Sequence, residues 1–386
     1  MTNTHAPDLR VAVVAPLYAP HIGGVERYAE KVVHALRDTP GITPVMITAA
    51  ADRRTTIENV NGYELIRLGS WIDFRGSRLN PLWLWTLPRL LRRKNIDVVY
   101  AHSPVPGLSD IVTYRSAGRP VVLAYHSGTM VKGGRTDPIL RAWERWVLPR
   151  IFARATRLVA AGKTALAYAT GRATVIPAGI DVDTFKPDGD RRETTLTYVG
   201  RIEAASRWKG YQVVVDALPA ILERVPEAYL DIIGDGDDVA LVQAAAGALG
   251  VGDRIRWLGG MAPDQVAQRL RRTSVAVVPS LTDADCASQV LMEAMASGTP
   301  VVGAAVGGMP ENIRHGENGF LVPPGDAPRL AHFVAEVLAD PQLAERLGKA
   351  ARLDAVEKFA IAGRHRALLE ILAEITGRDL AQSVTA

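Results

Sequence analysis

The chain has 386 residues, of which 48% are apolar and 22% charged, with a formal net charge of +4 and a single cysteine. That length suits two domains better than one core, and the composition excludes a disordered or fibrous chain. One cysteine excludes an internal disulfide and a cysteine-built metal cage, and the pI near 9.2 suits an anionic ligand or lipid surface, although the net charge is too small to argue for nucleic acid.

The first residues, MTNTHAPDLRVAVVAP, lack the basic segment, long apolar stretch and cleavage site of a signal peptide. No run of about 18 apolar residues predicts a membrane span, so cytoplasm is the default compartment. LRVAVVAP predicts the first strand, and APLYAPHIGGVERYAEKVVHAL (15–36) a strand-to-helix junction with the helix starting near Val25. Its pair Gly23-Gly24 lacks the third glycine of a dinucleotide fingerprint. The second run, TPVMITA, continues into ADRR with no acidic residue at its end. Both absences argue against a nicotinamide enzyme.

RLNPLWLWTLPRLLRRKN (78–95) joins Trp83, Trp85 and Leu87 to Arg89, Arg92, Arg93 and Lys94. Two readings are open: a helix lying on a lipid surface, peripheral at the inner face of a membrane, or a core-facing helix with a solvated basic side. The stretch 139–157, ILRAWERWVLPRIFARATR, has the same character. Between them DVVYAHS and PVVLAYHS each close an apolar strand with a histidine, His102 and His126. Strand C-termini of open α/β sheets are where ligands collect, although a hydrogen-bonded structural histidine is the alternative at either place.

RLVAAG predicts a further strand, and DTFKPDGDRRETT, near 183–194, combines proline, glycine and charge as a linker would. Beyond it TTLTYVG, YLDIIGDG, RIRWLGG, VAVVPS and TPVVGAAVGG alternate with helical patterns. This βαβ rhythm on both sides of the linker predicts two doubly wound domains of parallel strands. In YVGRIEAASRWKG, Arg201 follows a strand and Lys209 opens the next predicted helix. Together they would hold a diphosphate, unless both are solvated surface charges.

In PSLTDADCASQVLMEAMASGTPVVGAAVGGMPE a helix is expected over 287–297, ended by Gly298. Glu293 has no cation three or four positions away, so ligand hydroxyls or a distant Arg or Lys must satisfy it. Asp285, just before the helix, is either its N-cap or a ligand group. Cys286 reads as a small packing residue, and the pairs Asp181/Asp183 and Asp235/Asp237 as turn residues, so no metal is assigned. Residues 341–376 read as two helices with no strand after them.

HIGGVERYAEKVVHAL, DVVYAHS, the AYH strand end, PAGIDVDTFKP, YVGR…KG, IIGDGD and LMEAMASGTPVV…GGMPE occur in an order that resembles the retaining glycosyltransferases of family 4 (glycosyl transferases group 1), which have the GT-B fold. The resemblance spans about residues 9 to 365. It implies two Rossmann-like domains facing across a cleft: 1–186 for the acceptor, 187–355 for the nucleotide sugar, and helices in 356–386 packing back across the seam. It further implies a hexosyltransferase whose substrates are a UDP-, GDP- or other nucleotide-diphosphate sugar and a saccharide, lipid-linked or natural-product acceptor, with no cofactor.

By that resemblance Arg201 and Lys209 grip the diphosphate, Glu293 binds the ribose, and Asp285 reaches the donor-sugar hydroxyls. His126 faces the reacting sugar, His102 is a second acceptor-side candidate, and Gly23 and Gly24 close on the donor from the opposite domain. The chain departs from the family at Asp285-Cys286-Ala287-Ser288, where a glutamate followed by glycine, phenylalanine and glycine is usual. Aspartate keeps the charge on a side chain one methylene shorter. A catalytically silent sugar-nucleotide binder or a scaffold of a glycan pathway is the alternative that this departure leaves open.

Overall fold

A computed structural model describes residues 8–19, 23–74, 77–134, 136–189 and 193–380. The chain forms two compact units: one of residues up to 130, 135–176 and 364 onward, the other of 131–134 and 177–363. The observed division therefore falls at 176/177 and 363/364 rather than at 186/187 and 355/356, and PAGIDVDTFKP belongs with the second unit. Residues 190–192 of the expected linker lie outside the described residues.

The first unit runs β1 (Leu9–Ala15), α1 (Gly24–Arg37), β2 (Ile42–Ala49), β3 (Thr56–Val60), β4 (Tyr63–Leu68), β5 (Ile72–Phe74), β6 (Ser77–Leu79), α2 (Trp83–Arg93), β7 (Val98–Ser103), α3 (Leu108–Tyr114), β8 (Val121–Tyr125), α4 (Asp137–Ala142), α5 (Leu148–Arg154), β9 (Arg157–Ala160) and β10 (Ala173–Val175). Eight strands make one sheet in the order β10-β9-β8-β7-β1-β2-β4-β3. All pairs are parallel except β3 with β4. The central strands are apolar on both faces, as a parallel sheet covered by helices requires, and Val11, Val13, Val14, Val98, Val99, Val122 and Leu123 are wholly buried.

The second unit contains β11 (Glu193–Val199), α6 (Tyr211–Arg224), β12 (Tyr229–Ile233), α7 (Val239–Ala248), β13 (Ile255–Gly259), α8 (Pro263–Arg272), β14 (Thr273–Val278), α9 (Gln289–Ala296), β15 (Val301–Ala304), α10 (Met309–Asn312), β16 (Gly319–Val322), α11 (Ala327–Ala339) and α12 (Pro341–Phe359). Its sheet has the order β13-β12-β11-β14-β15-β16, every pair parallel. The last helix, α13 (Ile361–Thr376), carries the chain back into the first unit.

Strand order reverses between β1 and β7 in one unit and between β11 and β14 in the other. Each reversal opens a crevice beyond the strand C-termini, because the connections leave to opposite sides there. Gly23-Gly24 and His102 follow or end the two strands of the first reversal. Arg201 and the 279–288 loop follow the two strands of the second.

Candidate active site

The second unit's crevice is built from loops after β11 and β14. Arg201 follows β11 and is half exposed, with Nη1 3.4 Å from Glu203 Oε2, a carboxylate the sequence reading passed over. Lys209 does not open a helix: it ends a 3₁₀ turn, Ala204–Lys209, with Gly210 between it and α6. Its ammonium lies 4.9 Å from the Trp208 ring centroid, and Lys132 Nζ lies 5.0 Å from the same ring. Among the described residues Lys209 forms no ion pair.

Lys132 carried no motif in the sequence, because residues 131–134 leave the first half of the chain to join the second unit. Desolvation first, then the charges of Arg201 and Lys209, hold its ammonium below the usual lysine range, and Asp285 acts against them. Three cations and the Asp285 carboxylate thus share one electrostatic neighbourhood, with Glu203 paired to Arg201 at its edge. Lys209, Asp285, Ser280 and Tyr198 line a pocket of ≈ 10 Å³, room for about one water.

Asp285 is not the cap of α9. Ser288 is, its hydroxyl accepting from the Leu291 amide at 3.4 Å, and the helix begins at Gln289. Asp285 is 8% exposed, and Ser280 Oγ donates to its Oδ2 at 2.7 Å. Its main chain is fixed as well: Gly308 N donates to its carbonyl at 3.0 Å, and a Cβ on Gly307 (φ +57°) would meet that oxygen at 2.3 Å. Only glycine fits that approach and that dihedral.

Glu293 lies in the middle of α9 and is 6% exposed. Gly298 ends the helix as expected: its amide bonds Met295 O and the Thr299 amide bonds Ala294 O, a paired closure that places the glycine in the left-handed region (φ +69°). Cys286 is buried. The acidic pairs serve turns: Asp181 Oδ1 accepts from the amides of Asp183 and Thr184, Asp235 from Gly236, and Asp237 from Ala204. No cluster of three or more His, Cys, Asp or Glu suited to a metal occurs among the described residues.

In the first unit α1 begins at Gly24, with Gly23 as an extended N-cap (φ −136°). A Cβ on Gly24 would meet nothing within 4 Å, so no packing against the described residues demands glycine there. Pro20, His21 and Ile22, just before the pair, lie outside the described residues. His102 and His126 come together, with Nδ1 of the first 3.1 Å from Nε2 of the second. His102 is wholly buried, so it touches His126 rather than solvent, whereas His126 is partly exposed.

Two partners of this pair are not singled out in the sequence. Tyr28 of α1 meets both imidazoles edge-on, with centroids 5.4 Å and 4.3 Å away. Arg364 of α13 stacks its guanidinium 3.9 Å from the Tyr28 centroid. The spacing from Gly23-Gly24 to Tyr28 could have flagged the tyrosine, whereas Arg364 comes from the other end of the chain.

Residues 22–184 match the family profile described as Glycosyltransferase Family 4, and residues 181–354 match Glycosyl transferases group 1. The chain belongs to this glycosyltransferase family. It is accordingly a hexosyltransferase with two Rossmann-like domains, the GT-B fold. Among characterised proteins it is 28% identical to phosphatidyl-myo-inositol mannosyltransferase of Mycobacterium leprae, over 91% of this chain and 93% of that one. It is also 28% identical to the GDP-mannose-dependent alpha-(1-6)-phosphatidylinositol monomannoside mannosyltransferase of Mycobacterium tuberculosis, over 89% and 92%. Among solved structures, sucrose-phosphate synthase from Thermosynechococcus elongatus superposes with a TM-score of 0.77 at 22% identity, covering 96% of this chain and 99% of that one. Anabaena HepE in complex with UDP and glucose gives 0.74 at 20% identity, covering 95% and 99%.

Proposed function

We propose that this glycosyltransferase moves a hexose from a nucleotide-diphosphate sugar to a hydroxyl of a saccharide or lipid-linked saccharide, with retention of configuration and without a metal ion. The observation that carries the reading is the grouping of Lys132 and Lys209 on the Trp208 ring, with Lys209 and Asp285 lining one pocket and Arg201 in the same electrostatic neighbourhood. Fixed cations aimed at a departing diphosphate stabilise the charge it develops. Arg201 offers a fork and Lys209 a point charge; Asp285 takes donor-sugar hydroxyls and Glu293 the ribose. His126 faces the reacting sugar, while Gly23 and Gly24 leave room for its close approach to backbone.

In the transfer step the anomeric C–O bond breaks and its electron pair goes to the diphosphate oxygen. The acceptor oxygen bonds to the anomeric carbon on the same face, and its proton passes to the leaving phosphate oxygen. No enzymic nucleophile takes part, and buried Cys286 stays a packing residue.

The named activities of the mycobacterial relatives make GDP-mannose and an inositol phospholipid the first donor and acceptor to test, and the UDP bound to HepE makes UDP-glucose the second donor. Purified protein incubated with each radiolabelled donor should yield an acceptor-bound sugar of unchanged anomeric configuration, with or without chelator. Lys209→Ala should weaken nucleotide binding, and unchanged affinity would sink that assignment. Tight nucleotide binding with no transfer to any acceptor would favour the silent binder or scaffold.

Membrane contact by the first unit is supported by which residues α2 leaves outside. Trp83, Leu87 and Leu91 are core, in line with the core-facing alternative, while Leu82, Leu84 and Trp85 are exposed beside Arg89, Arg92 and Arg93. Arg92, Arg115 and Arg154 line a pocket of about 380 Å³ with Tyr114, and no carboxylate lines it. Ile139 and Trp146 are also exposed. No described helix is long and apolar enough to cross a membrane. Anionic vesicles at low salt should retain the protein and release it at high salt; indifference to them at low salt would remove the lipid surface from the proposal.

A further inference from the structure

Arg364 is 7% exposed, and its Nη2 is buried without a hydrogen-bond partner. Among the described residues it forms no ion pair. A buried guanidinium with no anion is costly, and here the face of the Tyr28 ring offsets part of that cost. The titratable and charged groups facing it are Tyr28 on α1, Tyr100 and His102 on β7, His126 after β8, and His365 beside it on α13. None of these is an anion near neutral pH, so the cage holds one permanent cation and disfavours a second.

The 3.1 Å contact between His102 Nδ1 and His126 Nε2 carries one proton, so one ring donates and the other accepts. If His126 donated from Nε2, neutral His102 would hold its own proton on Nε2. That atom is buried with no partner, and an N–H there would be an unsatisfied donor in the field of Arg364. If His102 donates from Nδ1, its Nε2 is a lone pair, which the positive field favours. His126 then keeps its proton on Nδ1, an atom that is not buried and bonds to no described residue.

We propose that Arg364 and His102 are positioning residues that fix His126 as a neutral Nδ1–H donor, aimed at an oxygen of the bound substrate, a sugar hydroxyl or a phosphate oxygen. That the donated hydrogen bond goes to a glycosyl substrate rests on the proposed function; the proton's location does not. Desolvation first, then the charge of Arg364, pushes His126 down to about 3. Desolvation, then His126 and Arg364, holds His102 well below the usual imidazole range.

The test is a long-range proton–nitrogen spectrum of the full chain labelled with nitrogen-15 histidine, recorded between about pH 5 and pH 8, with His126 assigned by its loss in His126→Gln. The expected wild-type result is a neutral Nδ1–H ring throughout. In Arg364→Met the tautomers should mix, an Nε2–H form of His126 appearing beside the Nδ1–H form across the recorded range, while Arg364→Lys, which keeps the charge, should restore the wild-type spectrum. A His126 that titrates near its ordinary value, or carries its proton on Nε2, would overturn the proposal. So would an unchanged spectrum in a folded Arg364→Met; should that variant not fold, the wild-type spectrum alone decides. Because no transfer is measured, a chain that proved catalytically silent would leave this result standing.

Discussion

Asp110 shows how a single burial sets a pH dependence. It is 6% exposed at the third position of α3, with Oδ2 accepting from the Gly107 amide at 2.9 Å and Oδ1 buried without a partner. Desolvation raises its pKa to about 7, against the pull of that amide. Below about pH 4 both folded and unfolded chains hold the proton. As pH rises towards 7 the unfolded chain releases it first, so stability falls through that window and the full cost remains above it. Asp110→Asn keeps the Gly107 bond without the charge. It should stabilise the protein by on the order of 1–3 kcal/mol at pH 8 and hardly at pH 4; an equal gain at both, measured by denaturant unfolding, would exclude the buried charge as the cause. Gly24 makes the contrasting case. The open space around it predicts that Gly24→Val changes stability by less than about 1 kcal/mol, while transfer falls by about tenfold or more if substrate approaches the backbone there. A valine variant that unfolds earlier but transfers normally would return the glycine to a structural role.

The elements that hold the second unit's crevice are linked through a close backbone approach and through one long side chain. A Cβ on Gly348 of α12 would lie 2.1 Å from the carbonyl oxygen of Gly298, which ends α9. Arg352, one turn further along α12, donates to Ala296 O at 2.8 Å and to the carbonyls of Val182 and Phe185. Helix α9 carries Glu293, so its seating against α12 bears on the site. Gly348→Ala should cost about 1–3 kcal/mol of stability and weaken nucleotide binding, read from an unfolding midpoint and a nucleotide titration. Unaltered stability would mean that α12 shifts freely. The main strands were legible because β-branched runs alternating with helical patterns have few other solutions. The antiparallel edge was not: TIENVNGYELIRL is polar on most of β3, which is exposed, and only the Asn61-Gly62 turn marked the hairpin. Arg201, His102 and His126 could be placed beside a crevice because they follow or close strands, whereas Lys209 and Asp285 were placed by a helix start, and Lys209 opens no helix. Lys132 and Arg364 were not legible, since each reaches its cluster by a chain excursion that periodicity does not encode.

At the scale of the whole molecule, the chain crosses between its units twice in its main path and completes the first unit only with its last helix. From Arg364 onward α13 buries Leu368, Leu369, Ile371 and Leu372 in that unit. Each such side chain contributes about 1.5–3 kcal/mol, so losing four, about 6–12 kcal/mol, is comparable to the 5–15 kcal/mol that holds a typical domain. The second unit, by contrast, closes its own core: Leu196, Val214, Leu218, Leu230, Val275, Val302, Leu330, Val334 and Leu347 form one buried cluster without α13. A chain ending at Gly363 should therefore lose the first unit's cooperative transition in calorimetry and keep the second's. Limited proteolysis should leave a resistant fragment beginning near 177, and that fragment should still bind nucleotide, though more weakly for want of Lys132, because Arg201, Lys209, Asp285 and Glu293 all lie within it. If both transitions vanished together, the second unit would depend on the first for its fold. If both survived, the burial of α13 would be worth far less than its apolar area implies, and Arg364 could not be held rigidly enough to govern the histidine pair.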